Sequence, residues 1–155
     1  MPCASALAVS ARIKKERQEE RKNRRIARER LKTRKEWEKE AQIAFNAYIR
    51  ARDAGLPCIS CGCHDGQGKR NAGHYRPAGI NTALRFDERN CNGQCERCNT
   101  YLSGNLSNYR AGLLVKIGAA ELEELDSSHD IKRWTIDELK EIKAEYKAKL
   151  KELKQ

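Results

Sequence analysis

The sequence predicts an α+β fold, in which a small cysteine-clamped core is carried by flanking helices and preceded by a long basic helix. Three observations predict it. Two Cys-x-x-Cys pairs, Cys58-Ile-Ser-Cys61 and Cys95-Glu-Arg-Cys98, enclose 33 residues of turn-rich composition. Apolar residues recur at three- to four-residue spacing on both sides of that segment. From Arg12 to Lys39, 14 Lys and Arg stand against six Glu, with few apolar residues among them.

The basic run comes first in the chain. Only Ile13, Ile26, Ala27, Leu31 and Trp37 punctuate it, so it cannot form a core. Its residues favour helix, which predicts an exposed helical arm over residues 1–35. Two readings follow from its charge. One is a solvated helix laced with Glu–Lys and Glu–Arg pairs; the other, favoured by the excess of bases, is a phosphate-binding arm. Arg21, Lys22, Arg24, Arg25, Arg28 and Arg30 form its densest cluster and would hold a nucleic-acid backbone without reading bases.

Residues 36–155 make the second domain. Trp37, Ala41, Ala44, Phe45, Tyr48 and Ile49 place an apolar stripe on one helix face, and Gly55-Leu56-Pro57 ends that helix at the first cysteine pair. The motif core spans residues 58–105. Its four thiols, Cys58, Cys61, Cys95 and Cys98, supply the soft ligands of a tetrahedral structural zinc. Cys63, His64 and Cys91 read as bystanders, because Cys63-His64 follows Cys61 too closely to join the clamp easily. Cys3 and His129 have no partners in sequence. Within the insert, residues 62–68 have turn composition and Leu84-Arg85-Phe86 suits a short strand. A short helix is expected from Cys95 onward.

Further helices fill residues 107–155. Tyr109, Leu113, Leu114 and Ile117 mark one that ends at Gly118, and residues 119–125 another. Thr135-Ile-Asp-Glu138 is a capping box, followed by Leu139, Ile142, Tyr146, Leu150 and Leu153 as an amphipathic stripe. That stripe packs either on the helix near Trp37 or on a second copy of the chain as a coiled-coil dimer.

Composition bounds the rest. A chain of 155 residues with 35% charged and 6% aromatic residues has room for one thin core, which a metal site would reinforce. Seven cysteines, an odd number with four in close pairs, suit reduced metal binding and a cytosolic location rather than a disulfide framework. The mildly apolar run at residues 4–11 is too short for a signal peptide or a membrane span, so no membrane partner is expected. A phosphate-binding GxxxxGK[ST] loop, a GxSxG elbow and an HExxH helix are all missing, which argues against an ATP-driven motor, a serine hydrolase and a zinc protease.

The motif core carries a resemblance. His74-x-x-Pro77, followed by Asn90-x4-Cys95-x-x-Cys98-Asn99, is similar to the HNH endonuclease motif with Asn in its last place. Together with Asp53-Ala-Gly-Leu-Pro-Cys58, Leu84-Arg-Phe-Asp-Glu-Arg-Asn90, Ser103-Gly-Asn105-Leu and Arg133-Trp134-Thr135-Ile136, it resembles the NinG (Rap) recombination nucleases of lambdoid phages from about Trp37 onward. The resemblance implies a ββα-metal core and a metal-dependent, structure-specific DNA endonuclease. Its substrates would be branched recombination intermediates such as Holliday junctions and D-loops, in the cytoplasm of a phage host and alongside recombination proteins. His74 would act as general base and stand next to a catalytic Mg²⁺ or Mn²⁺, Asn99 would ligate that metal, and Asn90 would brace the His74 loop.

Gly73 stands where many such enzymes carry an acidic ligand, leaving Asp65 and Asp87 as substitutes. Lys69, Arg70, Arg76 and Arg85 are placed to meet phosphates flanking the cut. A non-catalytic, zinc-dependent DNA-binding module is the alternative, and Gly73 is its best support. A dimeric coiled-coil scaffold would account for the helices alone.

Overall fold

The structure, a computed structural model, describes residues 4–64 and 70–155. Asp65, Lys69 and Cys3 lie outside the described residues. The chain divides into two compact units, Met1–Glu36 and Trp37–Gln155.

The first unit is dominated by α1, Ala4–Arg30. Exposure of its described side chains follows from composition, since it has no apolar stripe to bury. It is supported by pairs one turn apart, Arg12–Glu16 at 2.9 Å and Arg24–Glu20 at 2.6 Å. Thr33 then opens the next helix as a reciprocal cap. Its N–H and hydroxyl donate to the Glu36 carboxylate (2.7 and 2.8 Å), and Glu36 N–H donates back to Thr33 Oγ1.

In the second unit, α2 (Arg34–Arg52) buries Trp37, Ala41, Ala44, Phe45 and Ile49, the stripe that the spacing predicts. Two strands follow, β1 (Arg70–His74) and β2 (Cys91–Cys95), paired antiparallel with His74 opposite Cys91 and Gly73 opposite Asn92. The last two helices are α3 (Leu106–Ser127) and α4 (Ile136–Glu152). Gly118 breaks α3 at φ 83° and ψ 173°, so this element is two helices across a kink. The capping box at Thr135 and Glu138 is formed.

Apolar burial falls into two clusters. Trp37, Phe45, Ile49, Phe86, Cys91, Leu139 and Tyr146 join α2, α4 and β2, with Phe45 edge-on to Tyr146 at 4.8 Å and to Phe86 at 5.7 Å. The Leu139, Ile142 and Tyr146 part of the α4 stripe therefore packs on the chain's own α2, while Leu153 at its end is exposed. The second cluster, Tyr75, Leu84, Tyr109, Leu113, Leu122 and Leu125, seats α3 against the chain leaving β1.

Two local expectations are corrected. Leu84-Arg85-Phe86 is not a strand but part of a 3₁₀ turn, Thr82–Phe86. A strand would send Leu84 and Phe86 to one face, whereas Leu84 enters the second cluster and Phe86 the first. Trp134 Nε1–H and Lys132 N–H fasten the turn to Thr82 at 2.9 and 2.8 Å. After Cys95, the expected short helix is a single π-type turn, Arg97–Tyr101.

Candidate metal centre and hairpin site

Cys58, Cys61, Cys63 and Cys95 bring their sulfurs within 4.8 Å of one another. Cys61 and Cys95 are 3.7 Å apart, close to the roughly 3.75 Å edge of a tetrahedron with 2.3 Å zinc–sulfur bonds. This group could hold a metal ion, and an all-sulfur set suits zinc. Cys98 is buried against Cys58 and Cys95 but is not one of the four clustered sulfurs, where Cys63 stands in the place the spacing gives to Cys98. Burial, foremost, pushes the Cys63 and Cys98 thiols up to about 12. A bound cation would reverse that by favouring thiolate.

The surroundings already donate to sulfur. Cys95 N–H points at Cys58 Sγ (3.3 Å), Cys98 N–H at Cys95 Sγ (3.4 Å), and Asn105 Nδ2–H at Cys98 Sγ (3.4 Å). Cys63 is no bystander: it stands among the clustered sulfurs. The reason is a tight reversal at Gly62, whose φ is 71°, closed by Gly62 N–H to Cys58 O at 2.9 Å and Cys58 N–H to Cys63 O at 2.8 Å. His64 is exposed and outside the sulfur group, and Cys91 lies in the core under His74.

Strand β1 ends in His74. Its Nε2 is 3.0 Å from the Arg85 carbonyl, which can only accept, so Nε2 carries the hydrogen and Nδ1 keeps a lone pair. Nδ1 faces Cys91 Sγ at 3.7 Å. Burial in this pocket, more than the Arg85 carbonyl can offset, holds the imidazole below its ordinary 6.5. Burial also raises the Cys91 thiol, keeping it protonated.

Asn90 is fully buried. Its Oδ1 accepts from Arg76 N–H at 2.7 Å, and its Nδ2 donates to Arg76 O at 3.0 Å and Leu84 O at 3.1 Å. Its own carbonyl accepts from Tyr75 N–H at 2.9 Å. One side chain thus ties the segment after His74 to the turn whose Arg85 carbonyl holds the imidazole.

Asn99 sits on the π-type turn directly after Cys98 and approaches β1 at Gly73. A Cβ on Gly73 would stand 2.9 Å from Asn99 Oδ1 and would overlap Gln94 Oε1. Alternation along β1 sends residues 73 and 74 to opposite faces. Asn99 and Gln94 therefore gather on one face, while His74 turns toward Cys91 and Phe45, whose ring centre is 6.0 Å from the imidazole.

The predicted phosphate contacts near His74 have protein partners. Arg70 donates to Leu56 O and Cys63 O at 3.0 and 3.1 Å, and Arg85 meets Glu38 and Gln42 at 3.4 Å each. Arg76 reaches Ser128 O at 3.4 Å and His129 Nδ1 at 3.5 Å. On α1, Arg21, Lys22, Arg24, Arg25 and Arg28 are all exposed, with Lys22 near Glu19 at 3.7 Å. Asp87 is committed to Arg89, accepting from its N–H at 2.8 Å and from its guanidinium at 2.9 Å.

Sequence reasoning missed several residues that hold the site. Asp53, 4% exposed, accepts from Gly93 N–H and from Arg52 at 2.8 Å each and lies 3.5 Å from Lys116. Burial opposes its charge, but Arg52 and the Gly93 N–H outweigh it and keep the carboxyl below its usual range. Tyr109 donates to Gly73 O at 2.8 Å. The signal for Asp53 was its place in a matching stretch before Cys58; Gln94 and Tyr109 gave none.

Fold and site together define a mixed α+β module whose small hairpin and cysteine-rich turns are fastened at a potential metal centre. The family model described as Bacteriophage Lambda NinG protein matches residues 4–155, and the chain belongs to that family. The match extends across the basic arm, beyond the Trp37 start expected from the motifs. The chain is 52% identical over 124 residues to protein ninG of Salmonella phage P22, covering 80% of this chain and 61% of that one. It is 51% identical over 124 residues to protein ninG of Escherichia phage lambda, covering 80% and 60%. It thus spans about three fifths of the length of these curated relatives. No solved structure matches the chain. Among the described residues, no helix is long and apolar enough to cross a membrane.

Proposed function

We propose that this chain is a metal-dependent, structure-specific DNA endonuclease with an HNH-like centre, acting on branched recombination intermediates in the host cytoplasm. The observation that carries the reading is the convergence of Asn99, anchored directly after Cys98, on the strand that ends in His74. Each group has the chemistry its role needs. The neutral imidazole, with Nε2–H held by Arg85 O, carries its lone pair on Nδ1, which would take a proton from water on turning away from the Cys91 thiol. As that proton moves, the water oxygen bonds to phosphorus and the bond to the 3′ oxygen breaks. Asn90 keeps the imidazole and the following segment in register. A divalent cation held by Asn99 would supply charge neutralisation at the phosphate and the leaving oxygen. His74 and Asn99 occupy opposite faces of β1, so a phosphate served by both would have to sit at the strand's end.

The alternative, a zinc-dependent DNA-binding module without cleavage, is favoured by one specific observation: the neighbour of His74 Nδ1 is the Cys91 thiol rather than Asn99. Incubation of a four-way junction and a linear duplex with Mg²⁺ or Mn²⁺ separates the readings. Selective cutting of the junction that His74→Ala abolishes is expected. Binding of the junction without cutting by either protein would establish the module instead.

A further inference from the structure

We propose that Gln94 is a second protein ligand of the catalytic divalent cation, standing with Asn99 in the space that Gly73 leaves open. This rests on the nuclease reading above and deepens it. Gln94 is 0% exposed, and its Oε1 is buried without a hydrogen-bond partner. An acceptor left in that state costs about 1–3 kcal/mol, which calls for a partner. The amide cannot rotate to relieve it. Nε2 donates to the Gly104 carbonyl, which can only accept, and to Ser60 Oγ at 2.8 Å, so Oε1 is fixed toward Gly73.

Asn99 Oδ1 comes to the same point from the turn after Cys98. Two carbonyl oxygens directed at one small space repel each other unless a cation stands between them. Neutral oxygen donors suit Mg²⁺ or Mn²⁺, which complete their shells with water and phosphate oxygens. Two uncharged ligands hold such an ion weakly, so DNA phosphates must supply the remaining charge, and cation and DNA strengthen each other's binding.

Gly73 then has a positive role. A side chain there would overlap Gln94 Oε1, so the position of an acidic ligand is exchanged for room in which a buried amide oxygen can work. Asp87 is not the replacement, because both of its oxygens are taken by Arg89.

The test uses the zinc-loaded full chain with a phosphorothioate four-way junction, reading Mn²⁺ binding by electron paramagnetic resonance. Gln94→Met keeps length and bulk but removes the oxygen. It is expected to weaken Mn²⁺ binding on the order of tenfold to a hundredfold and to raise the Mn²⁺ needed for half-maximal cutting of an ordinary junction equally, with zinc content unchanged and with a lower melting temperature from loss of the Nε2 hydrogen bonds to Gly104 O and Ser60 Oγ. Gln94→Ala combined with Gly73→Asp, which makes room for a carboxylate, is expected to regain Mn²⁺ affinity. Wild-type Mn²⁺ binding and cutting in Gln94→Met would overturn the assignment and leave the nuclease reading intact. A wild type that neither binds Mn²⁺ on the junction nor cuts would overturn both. Should Gln94→Met fail to fold, Gln94→Ala alone decides: weakened Mn²⁺ binding supports the ligand, and wild-type binding overturns it.

Discussion

At the scale of single residues, His74 is held in one protonation state by its surroundings. Burial lowers its pKa below 6.5, and the Arg85 carbonyl fixes the hydrogen on Nε2. A base must be neutral to accept a proton, so single-turnover cutting should fall only at a pH below 6.5 and stay flat above it with respect to this group. A cation nearby would push the midpoint lower still. An apparent midpoint at or above 6.5 would contradict so enclosed a pocket. The sign for stability is the same. The folded state binds fewer protons than the unfolded one in that window, so the contribution of His74 is complete above 6.5 and declines as the pH drops through the lowered value. Asn90→Ala leaves Arg76 N–H and Arg76 O without their partner and Leu84 O with Asp87 N–H alone, so a loss of about 1–3 kcal/mol in denaturant melts is expected. The gathering of His74, Asn90 and Asn99 around β1 was legible because their spacing forms a motif. Gln94 was not, since an amide in a strand gives no signal until the Gly73 face is seen from the side.

At the scale of elements, the helices were legible because their stripes are long and regular. Phe45 and Tyr146 meet as the spacing around Trp37 and after Thr135 requires. Truncating Phe45 to Ala removes the ring shared by α2, α4 and the hairpin, and should cost about 3–5 kcal/mol in equilibrium unfolding. Thr135→Ala, which removes the cap of α4, should cost about 1 kcal/mol. The short pieces were less legible. Leu84 and Phe86 look like a strand, but tertiary contacts from Trp134, Lys132 and Asn90 draw them into a turn that serves two clusters. Cys63 was unreadable for a related reason, because only the reversal at Gly62 returns its sulfur to the others.

At the scale of the whole molecule, a thin core and a large basic surplus coexist, and each has a consequence. The Trp37–Gln155 unit brings the sulfurs of Cys58, Cys61 and Cys63 to that of Cys95 at the end of β2, with Cys98 packed against them, so removal of a bound metal should lower its melting temperature and loosen the hairpin together with the turn carrying Asn99. Metal analysis of about one zinc per chain is expected, and substantially less would contradict a zinc centre. In the Met1–Glu36 unit, the exposed Arg21, Arg25 and Arg28 offer charge without sequence reading. Replacing these three by Ala should weaken DNA binding and make the slope of log K against log salt shallower by about 0.9 for each phosphate that is no longer neutralised. The rate of cutting by saturating protein should be unchanged.

The central claim, that His74 works as the base of a metal-dependent cut, meets its most direct test in single-turnover cutting of a four-way junction at saturating protein and Mn²⁺. The wild type is expected to cut, and His74→Ala to cut more slowly by about 10²–10⁴-fold, with junction binding and zinc content retained. Equal rates in the two proteins would contradict it.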